Sequence, residues 1–115
     1  MSEEKRPRAK TDDYSKRDLG LREKHIENYL KTETEARGGK CIKLVGYIGI
    51  PDRLLLLPGG RAVFVECKAP GKKPRPMQLH WLRTLQGLGF VAVVIDSKPA
   101  VREFFANFDG EHVTP

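Results

Sequence analysis

Three charged side chains stand in or beside two apolar runs. Asp52 opens DRLLLL, and Glu66 and Lys68 sit two apart in AVFVECK. A charge in such surroundings is costly unless something pairs with it. Alternate residues of a strand share a face, so Ala62, Phe64, Glu66 and Lys68 point one way and Val63, Val65 and Cys67 the other. Glu66 and Lys68 then lie about 7 Å apart along one side. If the Pro58-Gly59-Gly60 turn closes a hairpin with Leu57 opposite Arg61, Asp52 falls directly across from Glu66. A slip of one residue would instead send the two acids to opposite faces. Two bare carboxylates placed across from each other repel, and one is forced to hold a proton. A divalent cation removes that conflict, and hard oxygen ligands of this kind suit Mg2+ or Mn2+. Lys68 beside the ion is placed to hold and polarise an attacking water, or to stabilise charge growing on a phosphate. That is equipment for phosphodiester hydrolysis. A plainer reading has Asp52 capping a turn and Glu66–Lys68 exposed on an edge strand, where lysine discourages aggregation. The hairpin spacing and the apolar flanks favour the active site.

The elements that must position these groups follow from periodicity. From about Leu19 to Arg37 the pattern predicts a helix, with Gly38-Gly39 as its stop. On a helical wheel Leu19, Ile26, Tyr29 and Leu30 form one apolar stripe. Glu23 sits at its edge and Glu27 further round towards solvent. KCIKLVGY reads as a first strand over about residues 40–47, Gly46 to Pro51 as a bend, and DRLLLL and AVFVECK as the hairpin. APGKKPRP is a loop, and a second helix begins near Pro76. Leu79, Leu82, Leu85 and Leu88 form its apolar face with Trp81 beside them, and it ends at Gly87 to Gly89. FVAVVID has no polar residue before Asp96 and reads as a strand buried on both faces. Val101, Phe104, Phe105 and Phe108 give a closing helix over 98–108, read as core that can also line a dimer interface. The order is α-β-β-β-α-β-α, an α/β fold, without internal repeats.

A chain of 115 residues forms one domain. We expect a flexible polar arm over 1–18, a folded domain over 19–109 and a tail over 110–115. The net charge of +6 and pI near 9.5 favour a polyanionic partner only weakly. Position is more informative. KAPGKKPR follows the Glu66–Lys68 strand directly, so Lys72, Lys73 and Arg75 are candidates for DNA-backbone contacts, or else a solvated loop. Arg53 can reach a phosphate or pair locally with an acid. Two cysteines, Cys41 and Cys67, make no disulfide framework and read as small buried hydrophobes in a reducing compartment. His25, His80 and His112 do not cluster at ligand spacing. With no apolar signal core and no membrane-length run, the expected location is the cytoplasm.

In this order and spacing, EKHIENYL, GIPDRLLLLPGG, FVECKAPGKKPRPMQ and LGFVAVVID resemble the PD-(D/E)XK (restriction-endonuclease-like) nuclease superfamily. Within it the chain resembles a stand-alone VRR-NUC domain of phage and bacterial type, over about Leu21 to Ser97. The resemblance implies a mixed central sheet flanked by helices, with an extra C-terminal helix. It makes Asp52 and Glu66 the metal-binding acids, Lys68 the catalytic lysine and the Cys67 carbonyl a further ligand. It also takes one acid from the first helix, where Glu23 matches and Glu27 is the fallback. Gln78 corresponds to the family's glutamine, orienting the site or meeting a phosphate, or else is an ordinary helix-start residue. The implied function is a Mg2+- or Mn2+-dependent structure-specific DNA endonuclease. A homodimeric Holliday junction resolvase comes first; flap or nicking cleavage in phage DNA processing and a non-catalytic DNA-binding subunit are the alternatives.

Overall fold

The computed structural model describes residues 16–113; the expected arm up to residue 15 lies outside them. Helix α1 spans Lys16–Ala36, so residues 16–18, expected in the arm, belong to the helix. It ends as the Gly-Gly pair dictates. Gly38 takes φ +83°, its N–H donates to the Glu35 carbonyl, and the Gly39 N–H reaches back to the Thr34 carbonyl, both at 3.0 Å. This is a Schellman stop, whose left-handed position favours glycine. Gly39 is needed for a second reason: a Cβ there would stand 2.5 Å from the Leu56 carbonyl oxygen.

Strands β1 (Lys40–Lys43), β2 (Arg53–Leu57), β3 (Arg61–Cys67) and β4 (Val91–Ile95) form one sheet in that spatial order. The first three run antiparallel and β4 runs parallel to β3, so the sheet is mixed. The β2–β3 register is the one the turn predicts: Leu57 pairs with Arg61 and Arg53 with Val65. Helix α2 (Pro76–Gly87) makes the crossover a parallel pair requires, and α3 (Lys98–Val113) closes the chain. Most of the expected tail is therefore helix; α3 extends past Phe108, through His112, to Val113.

Strand alternation sorts the core into two layers. Leu55, Leu57, Val63, Val65, Cys67 and Ile95 face α1 and α3, meeting Ile26, Leu30, Val101, Phe105 and Phe108. Ala92 and Phe64 face α2, meeting Leu82, Leu85 and Trp81. The closing helix thus spends its aromatic residues on the core, with Phe104 half-buried at the margin. Arg37 ties α1 to α3 through a two-point contact with Asp109, at 2.8 and 3.0 Å, and its guanidinium lies 4.2 Å over the Phe105 ring.

Three expectations are corrected. β1 stops at Lys43, so Val45 and Tyr47 belong to the loop before β2. β4 is an edge strand, not one buried on both faces, and Val91 and Val94 are exposed. The α2 face is narrower than its leucine spacing implies, because Leu82 and Leu85 are buried while Leu79 and Leu88 are exposed. A short helix over one end of a four-stranded sheet covers little more than two strands.

Candidate active site

β3 is hydrogen-bonded on both sides, which fixes the side chains at its C-terminal end. Glu66 is 1% exposed. Its Oε2 lies 3.2 Å from Lys68 Nζ, the two-apart pair that strand alternation puts on one side. Its Oε1 is buried and has no hydrogen-bond partner among the described residues. Asp52 stands one step beyond the β2–β3 ladder, and its Oδ2 accepts a hydrogen bond from the Cys67 N–H at 2.9 Å. It is therefore both a strand-end cap and a member of the site. Burial, and then the nearby Asp52 carboxylate, push the Glu66 pKa up to about 7. Burial likewise raises Asp52, against the opposing effect of the Cys67 N–H.

Helix α1 brings two acids to this place, not one. Oxygens of Glu23, Glu27 and Asp52 all lie within 4.8 Å of one another. Burial raises the Glu23 pKa, with Asp52 and Glu27 adding to it. The expectation that Glu27 turns to solvent is corrected: its side chain is 13% exposed and its Oε1 lies 2.7 Å from Arg53 Nη2. Arg53, whose own side chain is 12% exposed, is paired with an acid rather than presented for a phosphate. A wheel shows which face of a helix meets the core; it does not show that the first residue of a neighbouring strand roofs the edge of that face.

Glu23, Glu27 and Asp52 form an all-oxygen donor set that fits a hard divalent cation; Glu66 lies outside that group, with a buried oxygen that has no hydrogen-bond partner among the described residues. Cations also gather at the margin. Lys68, Lys72, Lys73 and Arg75 line one open cleft with Glu23, Gly20 and Ala69. A half-buried acid cluster edged by basic side chains can hold an ion and a phosphate together.

No protein-family model matches the chain. "Putative nuclease p44" of Acyrthosiphon pisum secondary endosymbiont phage 1 is 48% identical over 80 residues, 68% of this chain and 86% of that protein. A solved structure of a "VRR_NUC domain" aligns with a TM-score of 0.70 and 34% identity, over 74% of this chain and 95% of that one. The chain belongs to the VRR-NUC family. Its α/β architecture, a mixed four-stranded sheet between helices, is that of these nucleases.

In this VRR-NUC nuclease Gln78 has a definite structural task. Its Oε1 accepts the Arg75 N–H at 2.8 Å, one half of a capping box that starts α2. Cys67 is fully buried and Cys41 half-buried, both free thiols, as their strand positions suggest. Burial pushes the Cys67 thiol far up, leaving it inert. His25 and His80 are exposed and belong to no ligand group among the described residues. Among the described residues, no helix is long and apolar enough to cross a membrane. Sequence reasoning offered Arg53 a local acid and read Gly46 to Pro51 as a bend, but it missed Glu27 as that acid and the anchoring of the loop over residues 44–51. For the pair, the signal was the adjacency of Arg53 to Asp52 and the one-turn spacing of Glu23 and Glu27. For the loop, it was two glycines bracketing apolar residues.

Proposed function

We propose that this VRR-NUC chain is a divalent-metal-dependent DNA endonuclease, acting on branched DNA and cutting four-way junctions as a homodimer. The observation that carries it is Glu66: a carboxylate sealed in the sheet, one oxygen on Lys68 and the other without a partner among the described residues, beside Asp52, which itself groups with Glu23 and Glu27. Leaving a buried carboxylate oxygen without a partner is costly unless something binds it.

Asp52, Glu66, Glu23 and the Cys67 carbonyl would hold Mg2+ or Mn2+, with Glu27 a further donor or kept in reserve by Arg53. Such an ion activates water and polarises a phosphoryl oxygen. Asp52 and Glu66 orient their oxygens because each is anchored, one by the Cys67 N–H and the other by Lys68 Nζ. Lys68 donates hydrogen bonds to the attacking water or to a phosphoryl oxygen as charge builds there. Water adds to phosphorus as it gives up a proton to solvent, and the bond from phosphorus to one ester oxygen breaks, that oxygen leaving as a hydroxyl after it takes up a proton. Lys72, Lys73 and Arg75 hold the flanking backbone, and Gln78, fixed by its cap, supports the rim. Symmetric cutting of a four-way junction needs two active sites, which is the reason for a dimer.

End-labelled junction, flap and nicked duplex are incubated with Mg2+, Mn2+ or EDTA, and light scattering gives the mass of the chain. Expected are metal-dependent cleavage, preference for the junction, and a dimer. Glu66→Ala and Lys68→Ala should each lower the cleavage rate by at least 100-fold, on the order of losing one transition-state contact. Preference for flap or nick would favour the processing role. Activity surviving both substitutions would remove the mechanism, and junction binding without cutting in any metal would point to a non-catalytic subunit.

A further inference from the structure

The loop over residues 44–51 holds apolar side chains outward: Val45 is 78%, Tyr47 69% and Ile48 84% exposed. The loop is fastened at several points. The Leu44 N–H donates to the Asp52 carbonyl at 2.8 Å, the Ile50 N–H to the Tyr47 carbonyl at 3.3 Å, and Trp81 Nε1–H to the Ile48 carbonyl at 3.2 Å. The Tyr47 ring leans on Trp81 with centroids 5.8 Å apart. Gly49, at φ +85°, packs so closely on Met77 that a Cβ would come within 2.8 Å of it. The tip is thereby stapled to the first turns of α2, where exposed Met77 extends the apolar surface. The loop base is closed on the backbone of Asp52 itself, so this surface is built onto the acid cluster.

We propose that Val45, Tyr47 and Ile48 receive an unstacked nucleobase of the DNA substrate, next to the phosphate being cut. The proposal rests on the endonuclease reading above and narrows its substrate to DNA with unpaired or unstacked bases at the cut. A phosphate at Asp52, Glu66 and Lys68 brings its flanking nucleotides against whatever surrounds those residues. The Lys72–Arg75 cleft suits the charged backbone. The apolar loop does not: a paired duplex turns its charged backbone outward, whereas an unpaired base has a flat face that stacks on an aromatic ring. A second copy of the chain fits less well. Three side chains and Met77, with one exposed aromatic among them, offer far less than the roughly 800 Å² each partner buries in a stable dimer.

The test uses the full chain with Tyr47→Ser and Ile48→Ser together, both positions being exposed. Probes are a four-way junction carrying 2-aminopurine beside the crossing and a fully paired duplex carrying it centrally. Calcium replaces magnesium so that binding is read without cutting. Expected for the unsubstituted chain is a fluorescence change on the junction and none on the duplex. In the double variant the change is lost, and the junction-to-duplex affinity ratio falls roughly ten-fold, the order of one lost base stack. Equal loss on both probes, or an unaltered signal, would overturn the proposal. So would light scattering showing that the substitutions convert a dimer to a monomer, which would make the loop a contact between copies. If the unsubstituted chain gives the junction signal yet cuts no DNA in any metal, the endonuclease reading fails while the base site stands.

Discussion

Glu66 is the residue on which the electrostatics turn. Its ordinary pKa of 4.5 is pushed up to about 7 by burial and by Asp52. Between those two values the folded metal-free chain holds a proton that the unfolded chain has released, so stability falls as pH rises across this window. The contribution is about 3 kcal/mol. Asp52 and Glu23 are raised as well and act in the same direction. Chemical unfolding at pH 5 and pH 8 should show the metal-free chain weaker at pH 8, with Mn2+ restoring more stability there than at pH 5. Glu66→Gln should flatten the dependence. Asp52, Glu66 and Lys68 were legible as a group because a strand has a period of two and a short turn fixes register. Glu27 was legible only as the fallback acid of the first helix; its pairing was not, since that comes from Arg53, which is 26 positions away in the chain.

Between elements, the Arg53–Glu27 pair joins β2 to α1 beside the acids, with both side chains largely out of water. Removing one partner leaves a buried charge uncompensated, whereas removing both leaves none. Arg53→Met should therefore cost about 3–5 kcal/mol in denaturant unfolding. Adding Glu27→Leu should recover most of that, and equal destabilisation in single and double variants would show that the pair is not what holds the two elements together. Element existence followed from the sequence because each was marked locally: the Gly38-Gly39 stop, the Pro-Gly-Gly turn, the proline opening α2. How far each element is covered did not follow. Leu79, Leu88 and Val91 match buried residues in pattern, and only the small span of α2 and the edge position of β4 leave them exposed.

Over the whole molecule, the +6 charge matters less than where it is concentrated. Lys72, Lys73 and Arg75 share the cleft with Lys68 and Glu23. If they contact DNA phosphates, replacing all three with glutamine should lessen the slope of log affinity against log salt by about 2–3, close to one per lost contact. Fluorescence anisotropy on a junction across a salt series measures this directly. An unchanged slope would mean that the loop is merely solvated. The layered α/β architecture was readable from the order of elements, as strands with helices interposed must bury both sheet faces. The bend at Gly46 to Pro51 was readable, but the anchoring of the 44–51 loop was not, because nothing local announces that Trp81, 33 positions from Ile48, will hold it down.

Strand β3 has a neighbour on each side and delivers Glu66 and Cys67 at its end, with Lys68 just beyond, where the Lys68 N–H still bonds the Ile95 carbonyl. Reactive groups on many enzymes ride on loops that open long before the rest of the protein. Here they are mounted on the segment that should be last to exchange its amide hydrogens. Catalytic competence and global structure should consequently vanish together: ion uptake and far-ultraviolet dichroism, followed through a urea titration, should share one midpoint.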